Sequence, residues 1–97
     1  MPESARVCSL QDLRNYVEQM ICKLHQLEPR AFRMTERLLI RQGRPCGMYF
    51  CLHGPRSVKF VAIWETDQNT VLVYGSTGER VGRYRLQGCP SLRQAAA

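Results

Sequence analysis

Apolar positions along the chain change their period near residue 29. Upstream, Leu10, Leu13, Val17, Met20, Ile21, Leu24 and Leu27 recur at steps of three and four, the spacing that lines one face of an α-helix. Gln11, Arg14, Glu18, Gln19, Lys23 and Gln26 occupy the other face. Ser9 offers an N-cap hydroxyl with Asp12 three residues on, a capping-box-like start whose carboxylate also suits the positive end of the helix dipole. Pro29 disfavours helical geometry at Glu28, so the pattern predicts a helix from residue 9 to about 28.

Downstream, apolar runs of strand length alternate with turn signals. Residues 30–36 read as a connection in which Phe32 and Met34 tuck against the core. The segment ERLLIRQG fits either a short helix or a strand; the Gly43-Arg44-Pro45 break leading into an obvious strand favours the first strand of a hairpin. Met48 to His53 is strand-like and stops at Gly54-Pro55. Ser57 to Glu65 is rich in Val, Phe, Ile and Trp, and Asp67-Gln68-Asn69 turns it into Val71 to Gly75, with Asn69 suited to the left-handed position. Ser76-Thr77-Gly78 leads to a last strand, Arg80 to Leu86. The predicted fold class is α+β: an N-terminal amphipathic helix packed on a four- or five-stranded antiparallel meander. One domain covers residues 1–97, with loose ends at 1–8 and 87–97, as 97 residues support one modest core.

Pairing Thr66 with Thr70 across the central hairpin puts Phe60, Ala62, Trp64, Leu72 and Tyr74 on one face, and Val61, Ile63, Val71, Val73 and Val81 on the other. A sheet covered on one side alternates apolar with polar, whereas these strands are apolar on both faces. One helix cannot cover both. Phe32, Met34 and the terminal segments, or a curl of the sheet, are one way to cover the second face; a second copy or another protein partner is the other.

Composition adds charge to this picture. The net charge is +6, and of 14 basic residues all but Lys23 and Lys59 are arginine, the side chain suited to bidentate contact with phosphate or carboxylate. The arginines are scattered, which GC-rich codon usage also explains. Hydrophobic residues at 44% and charged residues at 23% are the balance of an ordinary globular domain. No stretch approaches the roughly 20 apolar residues that span a bilayer, and no signal peptide is evident. The expected location is therefore the cytoplasm, with reduced cysteines and no membrane contact.

Candidate chemistry is sparse. Cys46, Cys51 and His53 are zinc-ligand types, but their spacing is no standard knuckle and a fourth ligand would have to come from Cys22, His25 or Cys89. Cys51 and His53 read as nucleophile and base would need an orienting group, with Glu65 or Asp67 as candidates. GSTGER lacks the lysine and following helix of a phosphate-binding loop. No metal and no cofactor is expected. The loops HGPRS and GSTGER set Arg56 and Arg80 beside backbone donors; with Arg83 and Arg85 these are the candidate anion contacts. Trp64, Tyr74 and Tyr84, interleaved with those arginines, are candidate stacking residues for single-stranded nucleic acid.

The stretches RPCGMYFCLHGPRSVKF and AIWETDQNTVLVYGSTGER, within residues 35–85, resemble a family of small uncharacterised bacterial proteins. That resemblance implies a free-standing bacterial domain and carries over no activity or site. The expected function is a small interaction module rather than an enzyme, with self-association as a homodimer as one form. Single-stranded nucleic-acid binding is the alternative, and an enzyme or zinc site at Cys51 and His53 a further one.

Overall fold

Ser9 begins the helix as its residue type predicts: its Oγ accepts from the Asp12 backbone N–H at 3.0 Å, and the Asp12 carboxylate accepts from the Cys8 N–H at 3.1 Å. In the computed structural model, which describes residues 6–88 and 90, α1 spans Leu10–His25. It stops sooner than the proline alone predicts. Gln26 takes a left-handed φ of 57°, and the Leu27 N–H turns back to the Cys22 carbonyl at 2.8 Å. Five strands follow: β1 Met34–Arg41, β2 Arg44–His53, β3 Lys59–Glu65, β4 Thr70–Tyr74 and β5 Arg80–Arg85. Each pairs antiparallel with the next, giving the sheet order β1-β2-β3-β4-β5. The ambiguous ERLLIRQG segment lies almost wholly in β1, and a short 3₁₀ turn at Pro55–Ser57 links β2 to β3.

The helix lies against β2 and β3, and one face of the sheet meets it. Leu13, Val17 and Ile21 from α1 are fully buried among Met48, Phe50, Leu52, Ala62, Trp64, Val71 and Val73. Val7 and Leu86 complete this cluster, and Phe32, Met34, Leu38 and Tyr84 pack around it. Phe32 and Met34 thus extend the helix-side core and, among the described residues, the second face has no cover. The expected loose ends are anchored where they are described: Val7 is 1% exposed, its N–H donates to the Gln87 carbonyl at 2.7 Å, and Pro90 is buried. Residues 1–5, 89 and 91–97 lie outside the described residues.

The central hairpin is in a different register from the expected one. Glu65, not Thr66, pairs with Thr70, so Trp64 lies opposite Val71 and Ile63 opposite Leu72. Thr66 is engaged elsewhere: its N–H and its hydroxyl both donate to the Cys46 carbonyl at 3.1 Å. The loop is therefore Thr66 to Asn69, closed by an Asn69 φ of 50°. Val71 and Val73 consequently join Phe60, Ala62 and Trp64 under the helix, and Leu72 and Tyr74 join Val61 and Ile63 on the far side. At Gly47 a Cβ would come within 2.2 Å of the Trp64 carbonyl oxygen, so β2 and β3 approach here only because that residue has no side chain.

Asn69 secures this register. Its Oδ1 accepts the Trp64 indole N–H at 3.0 Å, its Nδ2 donates to the Gly88 carbonyl at 2.5 Å, and its own carbonyl accepts the Leu86 N–H at 2.9 Å. Asn69→Ala puts in the left-handed region a residue that keeps the backbone bond to Leu86 but lacks the two side-chain bonds to Trp64 and Gly88. It is expected to cost about 3–4 kcal/mol in denaturant unfolding, from about 1 kcal/mol for each of the two lost bonds plus 1–2 for the backbone. Asn69→Gly loses the same side-chain bonds without the backbone strain and is expected to cost less; an equal or larger loss for glycine would contradict this account.

The thiols of Cys8, Cys22, Cys46 and Cys51 are free. Burial, with Glu18 and Glu28 nearby, pushes the Cys22 thiol above its ordinary pKa. The folded state's preference for the neutral thiol is fully present below the ordinary thiol pKa and is lost as pH rises through the raised one. Maleimide labelling with peptide mapping at neutral pH is expected to modify exposed Cys8 first and Cys22 only on unfolding. Equal rates at the two would refute it.

Candidate functional site

Strand alternation places Thr35, Arg37, Tyr49, Cys51, Lys59, Val61, Ile63, Glu65, Leu72, Tyr74, Arg83 and Arg85 on the face away from the helix. Along β3 and β4 the helix-side residues Phe60, Ala62, Trp64, Val71 and Val73 are buried, while Val61, Ile63, Leu72 and Tyr74 between them are half-buried. Among the described residues no element lies over this second face. Its middle row runs across all five strands as Arg37, Tyr49, Ile63, Leu72 and Arg83, each paired with the next. An apolar centre is thus bracketed by a guanidinium on each edge strand. Beside that row, Val61, Ile63, Tyr74 and Lys59 line a shallow groove of about 380 Å³, extended by Gly75, Ser76 and Gly78.

Among the described residues the cations of this face form no ion pair. Arg37 lies over the Tyr49 ring, 5.2 Å from its centre. Arg83 Nη2 donates to Gln68 Oε1 at 3.2 Å. The ion pair found among the described residues, Arg14 with Glu36 at 2.7 Å, is on the helix side, where the carboxylate's hydrogen bonds favour the charged guanidinium. Among the described residues Arg37, Lys59, Arg83 and Arg85 have no carboxylate within ion-pair distance, and Glu65 is the acid that shares their face. Arg83 and Arg85 also line a cleft of about 220 Å³ with Thr70, which is only 2% exposed.

The residues singled out from the sequence are divided by the fold. Arg83 and Arg85 come together around Thr70, and Tyr74 shares their face. Arg80 begins β5 opposite Tyr74, set apart by the irregularity at Val81. Arg56 belongs to the turn between β2 and β3, with φ 59°. Trp64 is 1% exposed beneath the helix, so its ring is not a surface platform. Tyr84 packs on the helix side, over Gly82. The aromatic residues of the open face are therefore Tyr49 and Tyr74.

Cys46, Cys51 and His53 are spread along β2, with Cys46 and Cys51 roughly 16 Å apart at about 3.3 Å per residue. Among the described residues no three of His, Cys, Asp and Glu converge as a metal site. His53 Nε2 stands 3.0 Å from the Thr35 hydroxyl. His53 pairs with Lys59, at the opposite end of β3 from Glu65, so the carboxylate proposed to orient it is remote. Glu79, another acid near the candidate arginines, accepts from the Thr77 hydroxyl, which holds its carboxyl below the usual range.

Arg37, Lys59 and Thr70 are not among the sequence candidates. Period-two alternation from Val61 is the signal that finds Lys59. Arg37 and Thr70 require the registers of β1 and β4. Compared with known proteins, the chain matches no family model, no curated protein and no solved structure, so the face is read from its own residues.

Proposed function

We propose that this chain is a non-enzymatic binding module whose open sheet face seats a protein segment with an apolar ridge and acidic flanks. The observation that carries the reading is the cross-sheet row Arg37, Tyr49, Ile63, Leu72, Arg83: apolar in the middle, with unpaired cations at both ends. The aliphatic centre supplies area to bury, and the arginines select and orient an acidic counterpart.

A second copy fits less well. In a two-fold interface the same patch meets itself, so basic edges would face basic edges with Glu65 the shared-face carboxylate to offset them. Nucleic acid fits less well for a different reason. Stacking needs exposed rings, and between Tyr49 and Tyr74 the face presents Ile63, Val61 and Leu72, while the Tyr49 ring already carries Arg37.

The test uses two amphipathic helical peptides with the same leucine ridge, one flanked by glutamate and one by lysine, and a single-stranded oligothymidylate, followed by fluorescence anisotropy. The glutamate peptide is expected to bind. Ile63→Asp, Leu72→Asp and Arg83→Glu should each weaken it roughly tenfold or more, a loss of at least 1.4 kcal/mol, without lowering the midpoint of thermal unfolding. Equal binding of both peptides, salt-steep binding of the oligonucleotide alone, or a concentration-dependent doubling of mass abolished by Ile63→Asp would each overturn the proposal.

A further inference from the structure

We infer that the cleft over Thr70, between the Arg83 and Arg85 side chains, is a binding site for a phosphate group. Arg85 pairs directly with Thr70 and Arg83 with Leu72, so the two guanidiniums rise from β5 on the same face, two residues apart. Thr70 forms a fixed polar floor, 2% exposed, with its hydroxyl donating to the Gln68 carbonyl at 2.9 Å. Gln68 Oε1 accepts from Arg83 Nη2 at 3.2 Å, which steadies that guanidinium while leaving its other N–H donors free.

Two like charges this close on one face repel, and a sheet normally answers such a pair with a carboxylate on the neighbouring strand. Here the neighbouring position is Thr70, and Glu65 lies one strand further, about 10 Å from the Arg85 position at 4.8 Å per strand. Among the described residues no carboxylate pairs with either arginine. A planar carboxylate is satisfied by one guanidinium fork, whereas a tetrahedral phosphate monoester carries close to two negative charges near neutral pH and offers three acceptor oxygens to two forks. The cleft of about 220 Å³ is open on the solvent side, so the group can arrive free or at the end of a side chain.

This inference rests on the proposed function only in taking the open face as the binding surface. Its test is a nuclear magnetic resonance titration of the ¹⁵N-labelled chain with inorganic phosphate, against sodium chloride at matched ionic strength. Phosphate is expected to shift the Thr70 amide and the Arg83 and Arg85 Nε–H signals. Arg85→Gln should abolish the response and Arg83→Gln weaken it, with the remaining spectrum unchanged. A response that chloride reproduces, or that persists in the double variant, overturns the inference.

A second arm identifies the source. Replacing one flanking glutamate of the acidic peptide by phosphoserine should tighten binding roughly tenfold in a manner that Arg85→Gln removes, if the phosphate is carried on the partner. Equal affinities of the two peptides, alongside a specific response to inorganic phosphate, assign the cleft to free phosphate. Ile63→Asp separates the two proposals, since it should remove peptide binding and leave the phosphate shifts intact.

Discussion

The hydrogen bond from the Trp64 indole to Asn69, 3.0 Å long, holds the register on which both faces of the sheet depend. Side chains alternate along a strand, so a slip of one residue exchanges the two faces of β4 completely. In the observed register Val71 and Val73 fill the space under the helix, and Leu72 and Tyr74 face outward. The slipped register would drive a tyrosine hydroxyl into a core with no partner for it and expose two valines in its place. Asn69 also binds Leu86 and Gly88, and Gln87 between them binds Val7. One loop residue thus sets the hairpin and holds the segment Leu86 to Gly88, to which Val7 is bonded.

The segments around Val7 and Leu86 bear on why, among the described residues, the second face stays open. Five strands at about 4.8 Å spacing are wider than one helix of about 10 Å diameter, so α1 alone leaves the margins of its own face wet. Val7, Leu86, Phe32 and Met34 fill those margins. Of these, Val7, Phe32 and Leu86 lie outside the regular elements and are used on the helix side. Val61, Ile63, Leu72 and Tyr74 depend on one another and on the aliphatic stems of neighbouring charged residues for what cover they have.

The helix, the meander and the two-sided apolar character of its centre were legible in local sequence, because each rests on period and turn chemistry within about ten residues. The register was not. Thr66 reads as the last residue of its strand facing Thr70, and only the Cys46 carbonyl, twenty positions away, explains why it does not pair there. The faces of two candidate stacking residues were hidden for a simpler reason: Tyr84 stands between arginines along the chain, yet it and Trp64 alternate to the helix side of the sheet. Tyr84 lies between Arg83 and Arg85 and so must point away from them. Arg37 was out of reach, since its place depends on the irregularity at Leu39 and Ile40 in the β1–β2 ladder.

The charge of the open face follows from where the acids sit. Asp12, Glu18 and Glu28 belong to α1 and its exit, and Glu36 points from β1 toward Arg14 on the helix. Asp67 lies in a turn, and Glu79 is tied to its own turn through Thr77. This arrangement sets acids against the bases of the helix side and leaves β5, with Arg80, Arg83 and Arg85, without an acid of its own, and Arg37 of β1 on the open face. Arginine at those edges has a consequence that lysine would not. A guanidinium is weakly hydrated and can lie flat on an apolar neighbour, as Arg37 does on Tyr49, so it borders a surface that must be dehydrated without making that dehydration prohibitive. Glu36 follows the same logic: next to Arg37 in the chain, it alternates to the helix side of β1, where its pairing with Arg14 fastens the helix, so the alternation that permits this contact also leaves Arg37 on the open face without an acid beside it.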